Sequence, residues 1–326
     1  GIGVFPFCMR CDSSASFSAI PQFMRSGLDE AQVTLPPPHR QDSTAQNSLT
    51  FAAVALSFLN RHNFKEDNMI NGPVWNEAEI QPGDTPTVLA IGDSWFWYPR
   101  NNLAIPLHRI LNRSSNHVIL VRGHNGAEAV EYENGPIRKQ IEWDLDKKIG
   151  YGRTIRAVFL SGGGNDFAGR DDMRALLKGD CSSLSDPSQC FRASQPAQLF
   201  EAVQKALLSV VDLVAEKLPG VPVFVHGYDY AVPSGKGFFG LGQWLQYPMD
   251  ESQVDRGIQQ AVVNELIDSF AGALAEASKK RPALHVVNAR ETLKPDQWAN
   301  ELHPTPRGFN KLATAWEPVL KSAGIA

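Results

Sequence analysis

Ser94 has the setting of a residue that could carry out covalent chemistry. It follows an apolar run at 87–91, whose β-branched residues and flanking glycine and prolines predict a buried strand. Gly92 then allows a sharp turn, which would place the Ser94 hydroxyl just beyond a strand's carboxyl end. Open α/β sheets bind their ligands there. Alone, however, Ser94 is better explained as a helix-capping serine, since serine is common at that position.

A serine acts as a nucleophile only when a base takes its proton and donors hold the resulting oxyanion. His303, just before the last predicted helix, has a pKa suited to that base. Gly126 and Asn165 each follow a further predicted strand, within a glycine-containing turn. Because parallel strands end at one edge of a sheet, we expect these groups to meet. Backbone N–H groups and an Asn amide there would form an oxyanion hole.

At this point the sequence resembles a known family, the SGNH (GDSL-type) hydrolases. The matching residues are Gly92-Asp93-Ser94, Gly126, the G-x-N-D motif of Gly163-Gly164-Asn165-Asp166, and His303 before a proline, in the family's order. The resemblance covers about residues 85 to 325 and leaves out residues 1–80 and two long loops. It implies hydrolysis of esters or thioesters, and a flavodoxin-like three-layer α/β/α sandwich with a mostly parallel five-stranded sheet.

The resemblance also implies a role for each matched residue. Ser94 would be the nucleophile and His303 the base. The backbone N–H groups of Ser94 and Gly126 and the side chain of Asn165 would be the oxyanion donors. The products would form through an acyl-enzyme intermediate.

Asn300 is the departure from the family that matters most, because the family has Asp three residues before its His. A neutral Asn can orient the imidazole but cannot stabilise the imidazolium by charge. Three explanations stay open: Glu301 or Asp296 supplies the acid, a backbone carbonyl orients His303, or the protein is a weak or inactive binding member. Asn300 is kept as a catalytic candidate. We expect Asn300→Ala to retain substantial activity and His303→Ala to lose it.

From residue 85 onward, short apolar runs alternate with amphipathic segments, which indicates a parallel sheet covered on both faces. The predicted strands are 87–91, 118–121, 155–160, 221–225 and 284–287. The predicted helices are 103–111, 135–149, 197–218, 252–277 and the segment from 304 onward.

Aromatic residues are concentrated directly after Ser94 and in the 228–250 loop, which favours an apolar acyl or aryl pocket about as much as ordinary loop packing. The substrate would be a small-molecule, lipid or glycan ester. Acyl transfer to a sugar hydroxyl, or deacetylation of a glycan, remains an alternative. The tentative substrate-binding residues are Trp95, Trp97, His124, Asp229 and Phe238.

Composition excludes other classes of partner. The chain has 326 residues and a formal net charge of -4, so it lacks the basic excess that binds nucleic acid. No apolar run is long enough to span a bilayer. No His/Cys/Asp cluster has metal-ligand spacing, and the G-x-G-x-x-G match at 235–240 lacks the preceding strand of a dinucleotide site. We therefore expect no metal and no cofactor, and leave the oligomeric state open.

The chain divides into an N-terminal extension at 1–80, expected to pack on the catalytic domain, and that domain at 81–326. Polar or Gly/Pro-rich insertions occupy 167–196 and 228–250. Cys181 and Cys190 are spaced as a small disulfide loop would require, which favours an exported protein slightly over a cytoplasmic one.

Overall fold

A computed structural model of the protein describes residues 72–98, 101–237 and 244–326. The N-terminal extension as far as residue 71, and Phe238 in the second insertion, lie outside the described residues. Residues 72–80 lie against the sheet, because Val74 pairs with Leu120 at its edge. The Val74 N–H donates to the Ile119 carbonyl at 2.9 Å, and the Val121 N–H donates to the Val74 carbonyl at 2.8 Å.

The five predicted strands are confirmed and form one all-parallel sheet in the order β2-β1-β3-β4-β5. Strand β1 is buried along its whole length because helices cover both of its faces, which explains its uninterrupted apolar run. The strands are β1 (Val88–Gly92), β2 (Ile119–Gly123), β3 (Ala157–Leu160), β4 (Val223–His226) and β5 (Leu284–Val287).

Ten α-helices complete the described part of the chain. They are α1 (Ser94–Trp97), α2 (Ala104–Leu111), α3 (Val130–Glu133), α4 (Gly135–Asp144), α5 (Gly164–Phe167), α6 (Arg170–Leu176), α7 (Gln195–Lys217), α8 (Gln246–Glu251), α9 (Arg256–Lys279) and α10 (Pro306–Ser322). Helices α2 and α10 pack together on one face of the sheet, and α4, α7 and α9 cover the other. The three-layer α/β/α sandwich is thereby confirmed. No helix among these is long and apolar enough to cross a bilayer.

Two predicted helices have different bounds in the structure. Helix α4 ends at Asp144, not at 149, since the Asp146 carboxylate accepts the Lys148 and Ile149 N–H groups and forms a turn in competition with the helix. Helix α9 begins at Arg256, where the Asp255 side chain caps the Gly257 N–H at 2.7 Å.

The two insertions contain regular structure of their own. The first holds α6 and a 3-10 turn at Pro187–Cys190, and the second ends in α8. The disulfide expected in the first insertion is not formed. Cys181 and Cys190 are buried free thiols, and the Cys181 Sγ donates to the Cys190 carbonyl at 3.6 Å.

Candidate active site

The turn after β1 places Ser94 at the edge of the sheet. A Cβ atom at Gly92 would lie 2.5 Å from the Phe96 ring, so only glycine lets α1 fold back this closely. Asp93 caps α1 by accepting the Trp95 N–H at 2.9 Å. Ser94 is therefore the first residue of α1, and only 9% of it is exposed.

Ser94, His303 and Asn300 form one chain of hydrogen bonds, although 209 positions separate the first two. The Ser94 Oγ lies 2.8 Å from His303 Nε2. On the other side of the ring, His303 Nδ1 lies 3.0 Å from Asn300 Oδ1. A base that reaches the hydroxyl and a group that orients the base are the two contacts that nucleophile activation requires.

The direction in which the Asn300 side chain faces is fixed by the backbone. Its Oδ1 atom also accepts the backbone N–H groups of Leu302 at 2.9 Å and of His303 at 2.8 Å. An amide nitrogen could accept neither, so the carbonyl oxygen must face the imidazole. His303 Nδ1 then carries the proton, and Nε2 is free to accept from Ser94. This is the tautomer that a general base needs.

Apolar rings surround the imidazole. Tyr98 stacks on His303 with 4.1 Å between ring centroids, and Trp244 meets it edge-on at 6.1 Å. Burial lowers the pKa of His303 to about 3, so the ring is neutral at neutral pH. The ring can therefore accept a proton, but nothing among its described contacts supplies the negative charge that an Asp would.

Glu301 is not the missing acid, and neither is Asp296, which is exposed in the 3-10 turn before Trp298. The fully buried Glu301 carboxylate accepts four backbone N–H groups of the second insertion at 2.9–3.3 Å, those of Gly235, Trp244, Leu245 and Gln246. Its neighbour Asn300 occupies the place beside the imidazole. The first of the three explanations from the sequence is thus wrong, because Glu301 holds a loop.

Asn165 and Asp166 hold the loop that follows β2. Gly163, with a φ of 105°, brings the chain into α5, and a side chain there would collide with Val203 and Phe270. The Asn165 amide then donates to the Ala127 carbonyl at 3.0 Å, and the Asp166 carboxylate accepts the Ala129 N–H at 3.0 Å. Burial raises the pKa of Asp166 to about 6.

Gly126 belongs to that same loop after β2, where it is exposed. Ser94 and Asn165 line one cavity, and Gly126 does not. Gly126 is connected to Asn165 through its neighbour Ala127, whose carbonyl accepts the Asn165 amide. Among the described residues, the backbone N–H groups of Ser94 and Gly126 have no hydrogen-bond acceptor. They are the kind of open donor that an oxyanion hole uses.

The cavity at Ser94 and Asn165 is small, about 40 Å³, and mostly apolar. One water molecule needs roughly 10–15 Å³ of such space, so only a few heavy atoms fit within the described walls. Its apolar walls are Trp95, Phe167, Ala168, Leu245, Val263, Ile267, Trp298 and Leu302.

The tentative substrate-binding residues separate into two groups. Trp95 and Asp229 line the cavity, although the Asp229 carboxylate is engaged by the Tyr230 and Leu293 N–H groups at 2.7 and 2.6 Å. Trp97 lies elsewhere: its Nε1 donates to the Arg122 carbonyl, and it lines a separate surface groove beside β2.

His124 also lies away from the cavity, in the exposed part of the loop after β2. Its ring nitrogens contact the Asn125 carbonyl and the Glu131 carboxylate, each at 3.0 Å. Partial burial alone would lower the pKa of His124, but those two acceptors raise it above its ordinary value. We therefore correct the placement of His124 and Trp97, since both are bound to groups outside the cavity.

Residues that the sequence did not single out complete the site. Tyr98 stacks on the imidazole of His303. The Tyr228 hydroxyl donates to the carboxylate of Asp93, the residue before Ser94, at 2.5 Å. The only signal in the sequence was their general place in two aromatic-rich segments.

The arrangement agrees with a comparison against protein families. A profile of the GDSL-like Lipase/Acylhydrolase family matches residues 90–311. The chain belongs to this family. It is accordingly a hydrolase that acts on ester bonds, and the matched segment runs from within β1 to within α10.

Solved structures give more distant likenesses. The lipase Lip_vut3 from a goat rumen metagenome is 15% identical, with a TM-score of 0.47, over 74% of this chain and 99% of that one. A family 3 carbohydrate esterase of Clostridium thermocellum is 16% identical, with a TM-score of 0.39, over 72% and 96%. Among curated proteins, no sequence matches this chain significantly. The family assignment rests on the profile.

Proposed function

We propose that the protein hydrolyses carboxylic esters through an acyl-enzyme on Ser94. The observation that supports this most is the 2.8 Å contact between the Ser94 hydroxyl and His303 Nε2, with the ring held in the productive tautomer by Asn300. In the first step, His303 takes the hydroxyl proton as Ser94 Oγ attacks the acyl carbonyl. His303 then gives that proton to the departing alcohol.

Water completes the reaction by hydrolysing the acyl-enzyme. Water is now the nucleophile, and Ser94 is the leaving group. His303 takes a proton from water, hydroxide attacks the acyl carbon, and Ser94 leaves with the proton returned from the imidazole. In each tetrahedral intermediate the oxyanion would be bound by the N–H groups of Ser94 and Gly126 and by the Asn165 amide. Such donors are worth most where they meet charge that is present only in the transition state.

Restoring the acid in place of Asn300 should increase the activity. In Asn300→Asp, one carboxylate oxygen would keep the three N–H donors that Oδ1 has in the wild type. The other oxygen would replace Nδ2, which lies 3.4 Å from the Tyr98 hydroxyl in the wild type. The charge would stabilise the imidazolium and raise the His303 pKa from about 3. Since only neutral His303 is active, the acid limb of kcat/KM should move to higher pH.

The measurement is the pH dependence of kcat/KM for both proteins from about pH 2.5 to 9, which spans the acid limb of the wild type, together with kcat on the plateau. We expect the plateau kcat of Asn300→Asp to rise about tenfold or more, a fraction of the roughly 10⁴-fold that the reverse change costs a serine protease. Asn300→Ala should lose activity instead, which replaces our expectation from the sequence. An acid limb at the same pH in Asn300→Asp would show that residue 300 does not act on the base.

The small cavity predicts a preference for short acyl groups. Along p-nitrophenyl acetate, butyrate, octanoate and decanoate, we expect kcat/KM to fall by about 10-fold or more beyond butyrate, since each misplaced methylene costs about 1 kcal/mol or more. Ser94→Ala is the control, and its rate measures hydrolysis that does not depend on the nucleophile. Equal rates for Ser94→Ala and the wild type would rule out the proposed nucleophile, and a maximum at decanoate would rule out this cavity as the acyl site.

A pair of valines on α9 locates the acyl site more sharply. Val263 lines the cavity, whereas its equally buried neighbour Val262 does not. Val263→Ala should therefore increase the ratio of butyrate to acetate hydrolysis. Val262→Ala should lose similar stability, about 1–3 kcal/mol, while keeping the wild-type ratio.

A further inference from the structure

A closed ring of buried hydrogen bonds lies beneath the Ser94 turn and joins the carboxyl ends of β1, β3 and β4. The Tyr228 hydroxyl donates to Asp93 Oδ2 at 2.5 Å, and the Ser161 hydroxyl donates to Asp93 Oδ1 at 2.8 Å. His226 Nε2 lies 3.0 Å from the Ser161 Oγ. The backbone N–H of Tyr228 donates to His226 Nδ1 at 3.2 Å, which returns the ring to its first residue.

The proton positions in this ring follow from its one backbone member. A backbone N–H can only donate, so His226 Nδ1 accepts and Nε2 carries the proton. Ser161 accepts that proton's hydrogen bond and gives its own to Asp93. Burial lowers the pKa of His226 to about 3, so its imidazole is neutral at neutral pH. Ser161 and Tyr228 thus each donate to one oxygen of the Asp93 carboxyl, and the buried hydrogen bonds reinforce one another.

Tyr228 extends the ring to the other side of the cavity, because its hydroxyl oxygen also accepts the Gly164 N–H at 3.0 Å. Asp93 directly precedes Ser94, and Gly164 directly precedes Asn165. One phenolic oxygen thus ties the turn that carries Ser94 to the turn that carries Asn165. All three side chains, of Ser94, Asn165 and Tyr228, line the same cavity.

Two features of this connection are unfavourable for stability. Tyr228 has a φ of 63°, in the left-handed region that a bulky residue rarely adopts. The carboxyl of Asp93 is buried, and the groups that donate hydrogen bonds to it are uncharged. Burial raises its pKa. Backbone strain of this kind is typical of functional sites.

We propose that Tyr228 is a positioning residue, whose hydroxyl sets the spacing between Ser94 and the Asn165 amide. This rests on the proposed acyl-enzyme reaction. The hydroxyl touches neither reacting atom. It holds the oxyanion donor where charge develops in the transition state, so its removal should weaken transition-state binding and leave ground-state binding nearly unchanged.

Tyr228→Phe removes the one oxygen and keeps the aromatic ring, which packs edge-on against Trp95 at 4.9 Å. We expect kcat for p-nitrophenyl acetate to fall about 10–100-fold, somewhat less than the loss of a whole oxyanion donor. KM should change little. Affinity for a boronic acid, which forms a tetrahedral adduct with an active-site serine, should fall in parallel with kcat.

Two further variants separate positioning from general destabilisation. Tyr230→Phe removes a tyrosine hydroxyl two residues away, which donates to Asp268 at the exposed surface at 2.7 Å, and should keep the wild-type kcat. Ser161→Ala opens the ring but leaves the Tyr228–Gly164 bond, so its loss in kcat should be smaller. In the double variant, Ser161→Ala should lower kcat by a smaller factor than it does alone, since Ser161 and Tyr228 both bind Asp93.

Wild-type kcat and boronate affinity in Tyr228→Phe, measured well below its melting temperature, would overturn the proposal and leave Tyr228 a purely structural residue. A raised KM at unchanged kcat would overturn it as well, in favour of substrate contact. Failure of the proposed function is distinguishable, because it would appear in the wild type as hydrolysis that does not depend on Ser94.

Discussion

His303→Ala is expected to lower kcat for p-nitrophenyl acetate by about 10⁴-fold or more while the protein remains folded. His303 Nε2 lies 2.8 Å from the Ser94 hydroxyl, and no other described imidazole contacts that oxygen. Without it, the hydroxyl keeps its ordinary high pKa and has no acceptor for its proton. Steady-state kinetics near neutral pH, beside circular dichroism, measure the loss and the retained fold.

The double variant Ser94→Ala/His303→Ala shows whether the two residues act as a unit. Residues that share one step are strongly non-additive, so the double variant should be about as inactive as either single one. His226→Ala is not a matched control, since His226 belongs to the buried ring. His124→Ala is, because its imidazole is exposed and bound to Glu131, and it should keep near-normal activity. Independent, multiplying effects of Ser94 and His303 would contradict a shared proton transfer.

Glu301→Gln should destabilise the protein by about 3–5 kcal/mol, the largest stability effect we expect from a single polar substitution here. The buried carboxylate accepts four backbone N–H groups, two on each oxygen. In Glu301→Gln, an NH₂ group replaces one carboxylate oxygen and faces two N–H groups that have no other acceptor among the described residues. Each lost charge-assisted hydrogen bond costs about 1.5–3 kcal/mol.

Thermal and denaturant unfolding measure this effect, and Glu317→Gln is its matched control. Glu317 accepts hydrogen bonds from Arg113 and Lys321 at the protein surface, where ion pairs contribute little to stability. Activity should fall in Glu301→Gln too, because Trp244, one of the anchored residues, packs edge-on against His303. Equal stability of the two variants would show that the Glu301 contacts do not hold the insertion in solution.

Much of the fold could be predicted because its determinants are local in the sequence. Short apolar runs such as 87–91 and 118–121 marked every strand to within one or two residues. Helix ends were less predictable, since they depend on single side chains: Asp146 ends α4 early and Asp255 starts α9 late. The Cys181–Cys190 disulfide was wrong, because spacing along the chain does not decide whether two neighbouring thiols are oxidised, and both are free here.

The candidate site was predictable where a motif carried it. Ser94, Asn165 and His303 were identified by type and order, and the structure brings Ser94 into contact with His303 and into one cavity with Asn165. The actual roles of Glu301 and Tyr228 could not be predicted, since their partners lie 55–66 and 64–135 positions away. Contacts of that range depend on the packing of strands and insertions, which no local pattern specifies.

Trapping the acyl-enzyme is the decisive experiment for the proposed reaction at Ser94. The wild-type protein is mixed with p-nitrophenyl acetate, quenched in acid within one turnover, digested and analysed by mass spectrometry. The proposed reaction predicts one acetyl group on the peptide that contains Ser94, together with a burst of one p-nitrophenol per protein. Neither should appear in Ser94→Ala. An acetyl group on another residue, or turnover in Ser94→Ala, would rule out Ser94 as the nucleophile.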